Sequence, residues 1–176
     1  MKTIKKIGIF FAIALLSLTT SCSSDDNGGG GSNATLGTVK ARVAGANFTS
    51  MEMGTYATKQ VVGGLTTIIV QGSDASGKAI QIIITGYQEG TNTYEISEEA
   101  TISTVASYIE TNISNPLNSL VWAAPYENSG VAGSVTITEI SETNVKGTFS
   151  FTGKNQAGTD TKAVTNGAFN VNFTSN

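Results

Sequence analysis

The side chains able to do chemistry in this 176-residue chain are few, and what is missing narrows the field first. There is no histidine, so a Ser-His-Asp triad and imidazole-liganded zinc are excluded. There is a single cysteine, Cys22. Carboxylates remain, and a glycosidase needs two of them about 5–10 Å apart across a cleft. Glu98 and Glu99 are neighbours that would point apart in a strand, while Glu110, Glu127, Glu139 and Glu142 are scattered. Solvated strand ends and turns account for all of them, so a carboxylate hydrolase is the weakest reading. Asp74-x-Ser76-x-Lys78 and Asn155-x-x-x-x-Asp160 offer oxygens to calcium. Neither resembles an EF-hand loop, and turns that cap themselves through Asx hydrogen bonds explain both. No metal and no cofactor are expected. Trp122 with Tyr126 four residues on offers a stacking platform for a sugar, with Tyr56, Tyr87, Tyr94 and Tyr108 as further contributors. The preferred alternative is a core tryptophan with tyrosines at strand ends. Trp122 and Tyr126 are thus the candidate ligand-binding residues, and no residue is a candidate for catalysis.

Cys22 has a different chemistry in view because of what precedes it. Lys2, Lys5 and Lys6 form a positive start, Ile7 to Leu18 is an apolar run, and Thr19-Thr20-Ser21 is a small polar exit. This is the layout of a secretory signal, and the run is short of the about 20 apolar residues that span a bilayer. The segment resembles a bacterial lipoprotein signal, in which the cysteine thiol takes a diacylglyceryl group and the chain is cut before it. The usual leucine three residues upstream is replaced by Thr19, with Leu18 one place further back. Residues 1–21 are therefore expected to be a signal peptide and Cys22 the lipidated residue, the chain's link to the membrane. Residues 22–35, rich in Ser, Asp and Gly, read as a flexible linker with a reach of roughly 20 Å. Asp25-Asp26 resembles an export signal toward the outer leaflet of the outer membrane. Loss of residues 1–21 would leave seven basic against thirteen acidic residues, a formal charge of −6. Nucleic acid is not an expected partner, because phosphate binding needs clustered Lys and Arg.

The remainder, residues 36–176, has the length of one domain and reads as strands. Val39 to Val43 alternates with Lys40 and Arg42. Thr66–Gln71 and Ala79–Thr85 flank the turn Asp74–Gly77, and the run Ile82-Ile83-Ile84 predicts cover on both faces. Tyr94–Ile96, Leu120–Tyr126 and Ser134–Ile140 follow. Val145–Thr152 puts Val145, Phe149 and Phe151 on one face. The last strand puts Phe169, Val171 and Phe173 on one face, and Asn166-Gly167 reads as a type I′ pair at its start. Residues 97–118 carry helical spacing (Ile102, Val105, Ala106, Ile109) beside strand-friendly residues, and read as a strand with a long loop. Period-two alternation implies one buried and one wet face, as in antiparallel sheets. The fold class is all-β: a single antiparallel β-sandwich or barrel-like domain of about 8–10 strands.

Residues 134–173 resemble the DUF6252-type family, Bacteroidetes lipoproteins of unknown function. The resemblance rests on the strand Val135–Ile140, on Gly147-Thr-Phe-Ser-Phe151 and on Thr165-Asn-Gly-Ala-Phe169, with Gly90–Ile96 in the same rhythm. It implies no transferable activity; the expected outer-membrane location rests on the lipoprotein signal and on Asp25-Asp26. The expected function is a non-enzymatic, lipid-anchored domain that binds or scaffolds at the cell surface. The alternative is a glycan- or small-ligand-binding module serving an outer-membrane transporter.

Overall fold

The computed structural model describes residues 33–174; the signal, Cys22 and most of the linker lie outside the described residues. Eleven strands run in chain order: β1 (Thr38–Val43), β2 (Ala46–Thr49), β3 (Thr55–Val62), β4 (Leu65–Ser73), β5 (Lys78–Thr85), β6 (Thr93–Ser97), β7 (Ser103–Glu110), β8 (Leu120–Ala124), β9 (Val131–Ile140), β10 (Asn144–Asn155) and β11 (Thr161–Asn172). They form one antiparallel sheet in the order β2-β1-β11-β10-β8-β7-β5-β4-β3, with β9 and then β6 branching from β10. The sheet curls into a half-barrel rather than splitting into two layers. Among the described residues no helix is long and apolar enough to cross a membrane.

Alternation builds the core as the pattern predicts. Val39, Ala41 and Val43 of β1, Ile80, Ile82 and Ile84 of β5, and Phe149 and Phe151 of β10 all point into the concave face. Ile83, expected to be covered as well, is only half-buried on the outer face, in register with Ile69 and Val105. Residues 97–118 resolve into β7 and a loop with one short 3₁₀ turn at Pro116–Asn118. The helical spacing there has no helix to serve, because Thr104, Ala106 and Tyr108 turn inward at period two while Val105 faces out.

Curling requires close passage of strands, and small residues permit it. A Cβ at Gly72 of β4 would lie 2.7 Å from Val39 Cβ, so β4 crosses β1 at a distance open only to glycine. The last strand bends at Thr165 and Asn166, two residues set against Ser150 alone. Asn166 there has φ +51°. Asn166-Gly167 is therefore not the turn the dipeptide suggests. It is a bulge inside β11, an extra residue that sharpens twist and bends the strand. The bulge also restores phase, so that Val164 before it and Phe169 and Val171 after it all face the core.

The two motifs that carry the family resemblance meet here. In the β10–β11 register Gly147 stands opposite Phe169 and Phe149 opposite Gly167. Each ring lies over the glycine on the neighbouring strand: a Cβ on Gly167 would be 2.5 Å from Phe149 Cε2, and Gly147 is covered in the same way by Phe169. The two rings stack with centroids 6.2 Å apart, and Phe151 extends the stack at 6.4 Å from Phe149. Gly-x-Phe on antiparallel strands is thus a reciprocal exchange, in which each aromatic fills the space its partner's glycine leaves. These residues make structure, not a site.

Candidate functional site

One end of the half-barrel gathers the polar side chains that the core does not use. The register sets Tyr108 of β7 beside Trp122 of β8, and Trp122 beside Asn155 of β10. One step toward the end, Lys78 of β5 pairs with Glu110 of β7. β11 begins next to this row and sends Lys162 across it. The ammonium lies 3.6 Å from the centroid of Trp122 and 5.2 Å from that of Tyr108, in contact with π-faces that attract cations. It donates to Glu110 Oε1 at 2.5 Å, and Tyr108 donates its hydroxyl to the same oxygen at 3.0 Å. Trp122 donates Nε1–H to Asp160 Oδ2 at 2.8 Å. Asn155 N–H donates to the Asp160 carbonyl, and Asn155 Oδ1 accepts from Ala157 N–H, which closes the loop between β10 and β11.

The electrostatics follow from these contacts. Burial pushes the Glu110 carboxyl up, but hydrogen bonds from Lys162 and Tyr108 and the charges of Lys162 and Lys78 outweigh it and hold the group below its ordinary value. The indole hydrogen bond from Trp122 holds Asp160 low as well. Burial, reinforced by the hydrogen bond to Glu110, pushes the Tyr108 hydroxyl well above the usual phenol range. Lys162 and Glu110 thus neutralise each other, and Asp160 is met by the indole N–H of Trp122, so the charges at this edge of the core are each hydrogen-bonded.

Trp122 is 3% exposed. One face of its indole is taken by Lys162 and its N–H by Asp160, so it presents no platform to a sugar. Tyr126 is not beside it. Its ring lies 5.8 Å from the ammonium of Lys154, and Lys154 alternates with Asn155 onto the other face of β10. The two candidate ligand-binding residues are thus separated by the sheet. Tyr87 and Tyr94 are buried and hold the β5–β6 connection: the Tyr87 hydroxyl bonds Gly90, and that of Tyr94 bonds Gln88. Tyr56 is exposed and donates to Gln71 on the outer face. Asp74 spends Oδ1 on Ser76 N–H, Ser76 Oγ and Lys78 N–H, a self-capped turn. Among the described residues no three Asp, Glu, Cys or His side chains converge.

A second feature lies on the outer face of β9, β10 and β11. A depression of about 260 Å³ is lined by Asn33, Thr138, Lys146, Thr148 and Asn170, with apolar surface from Ala34 and Phe169, over Gly147. Asn170 anchors its wall by donating to the Ala34 carbonyl at 3.3 Å, and accepts from Asn144 at 3.1 Å. Lys146 is paired with Glu139 at 2.7 Å in an exposed bridge. Sequence reasoning missed this depression because its lining comes from three strands and the arriving N-terminal segment, with no local motif.

Residues 37–171 match the family model described as a domain of unknown function, DUF6252. No curated protein and no solved structure matches the chain.

Proposed function

The chain belongs to the DUF6252 family, whose function is unknown, and from that footing we propose that it is a non-enzymatic, envelope-anchored lipoprotein whose β domain binds or scaffolds at the cell surface. The observation that supports the non-enzymatic half is the self-neutralised cluster. Glu110 and Asp160 are the carboxylates of that cluster, each hydrogen-bonded within it, and both are held below their ordinary range. A glycosidase acid must be held above it, so that it still carries a proton to donate. The anchored half rests on the order of Lys2, Lys5 and Lys6, the apolar run and Cys22. Two or three acyl chains at about 0.8 kcal/mol per buried CH₂ make such an anchor durable. Cys22→Ser should abolish acyl labelling and processing; wild-type amounts of labelled protein in that variant refute the anchor. A glycoside and ester hydrolysis screen on the full chain should be blank, and turnover abolished by Glu110→Gln or Asp160→Asn refutes the non-enzymatic reading.

The second reading, a glycan- or small-ligand-binding module serving an outer-membrane transporter, is favoured by one observation. The depression on β9–β11 combines apolar surface from Ala34 and Phe169 with two carboxamides, two hydroxyls and one ammonium paired with Glu139, a mix of apolar wall and a few polar groups that suits a small ligand such as a sugar. A glycan array should then show binding that Thr148→Trp removes, whereas Trp122 variants should act only through stability.

A further inference from the structure

We propose that the domain self-associates by pairing β3 with β3 of a second copy, antiparallel about a two-fold axis at Gln60. The main path of the sheet ends in β2 and β3, and β6, which pairs only with β9, leaves a third edge. Strand edges left bare invite pairing, and proteins blunt them with short strands, prolines, bulges or charges. β2 and β6 are blunted by their lengths of four and five residues. β3 is eight residues long, keeps an unshifted register with β4 and has no proline. Its one charged residue, Lys59, lies over the Tyr87 ring, with Nζ 5.8 Å from the centroid.

The free groups on this edge can be named. Ala57 sets the phase but is not among them: its carbonyl faces outward and accepts from Thr174 N–H at 2.8 Å, and Phe173 bridges the edge there in parallel, so the open part of β3 begins beyond it. By alternation Lys59 and Val61 also point their N–H and C=O outward, and among the described residues no backbone group bonds to them there. The tight Gly63-Gly64 turn, with both φ positive, carries the hairpin past the core. Val61, Val62 and Leu65 are left 67%, 73% and 56% exposed.

A second copy matches this edge. In an antiparallel register centred on Gln60, Lys59 and Val61 of one chain exchange both backbone bonds with Val61 and Lys59 of the other, four bonds in all. Lysine meets valine rather than lysine, so no like charges stand directly opposite. Gln60 meets its own copy at the close, non-hydrogen-bonded position, where two carboxamides can bond each other. Val62 lies against Thr58 of the second copy. The contact is small against the roughly 1,200–2,000 Å² of a stable complex. It therefore depends on high local concentration, which tethering to one membrane supplies; that dependence, not the pairing geometry, rests on the anchor proposed above.

The geometry dictates the test. Opposed residues at a non-hydrogen-bonded antiparallel position have Cβ atoms about 4.5–5.5 Å apart, close to what a disulfide spans. Cells producing the full-length chain as wild type, Gln60→Cys or Asn47→Cys would be oxidised with copper phenanthroline, and covalent dimer read on non-reducing gels. The expected result is dimer with Gln60→Cys, and only the background of Cys22 with wild type and with Asn47→Cys on the β2 edge. Adding Val61→Pro removes one outward N–H that no group among the described residues uses, so the crosslink should be lost while the melting temperature holds. Dimer formed equally through Asn47→Cys, no dimer through Gln60→Cys, or dimer insensitive to Val61→Pro overturns the pairing. Repeating the series with Cys22→Ser separates the two ideas: loss of the crosslink there alone marks the tether as the source of concentration.

Discussion

The reciprocal Gly–Phe pairing of β10 and β11 yields a sharp test, because it predicts non-additivity and not merely loss. Phe149 is 5% exposed and stacks on two other rings. Phe149→Ala should cost about 3–5 kcal/mol, from lost transfer energy and the cavity left behind. That is a large part of the roughly 5–15 kcal/mol a domain possesses. Gly167→Ala places a methyl 2.5 Å from Phe149 Cε2 and equally close to the Phe149 carbonyl. Overpacking of this kind costs about 1–3 kcal/mol. In the double variant the ring is gone and only the carbonyl still crowds the methyl, so part of the second cost vanishes. The double variant should therefore be more stable than the sum of the singles implies, by at least about 0.5 kcal/mol. Urea unfolding of the four proteins, followed by the fluorescence of Trp122, measures this directly. The half-buried Thr148, one step along β10, is the control, and Thr148→Ala should cost no more than about 0.5 kcal/mol. Additivity within about 0.3 kcal/mol, or a Thr148→Ala loss larger than that of Phe149→Ala, would refute the pairing and the face assignment with it.

The remaining predictions concern the polar cluster and the outer face. The Glu110 carboxyl is held below its ordinary 4.5 in the folded state, so its contribution is complete at neutral pH and fades as pH falls through that depressed value. Glu110→Gln should lower the urea midpoint at pH 7 and narrow the gap to wild type at pH 3. A gap that widens on acidification means the sign is wrong. Asp160→Ala removes the acceptor of the Trp122 indole N–H and should raise acrylamide quenching of that tryptophan, whereas Asp160→Asn should preserve most of the protection. Asn170→Ala, unlike Thr148→Ala, breaks bonds to Ala34 and Asn144 and should cost about 1 kcal/mol, read as a lower melting temperature.

The parts of the fold legible in the sequence are those where one face is buried and the other wet. β1, β4, β5, β9 and β10 show this alternation, and so do the Phe residues of β11. β2 and β3 escaped because they are terminal strands with few buried positions, a single one on each, so no period-two signal arises. Their trace lay in the turns, Ala44-Gly45 and Gly63-Gly64, whose four residues all have positive φ. Asn166-Gly167 misled for a related reason. A left-handed Asn before Gly suits a hairpin turn and a bulge equally, and only the partner strand decides between them. The polar cluster was beyond reach because it is a product of register. Trp122 and Asp160, or Glu110 and Lys162, are 38 and 52 residues apart, and nothing local announces their meeting.

The position of β11 has a consequence for how the chain is made. It is the last strand in sequence yet sits between β1, the first, and β10. Thr38 pairs with Asn170, so the two ends of the domain are stitched together across nearly its whole length. Until that strand emerges during synthesis, β1 and β10 both stand with open edges and Gly147 of β10 lacks the cover of Phe169. The domain is thus a keystone structure. Long-range pairing of this kind slows folding and makes the nascent chain aggregation-prone until the twelve residues of β11 are available.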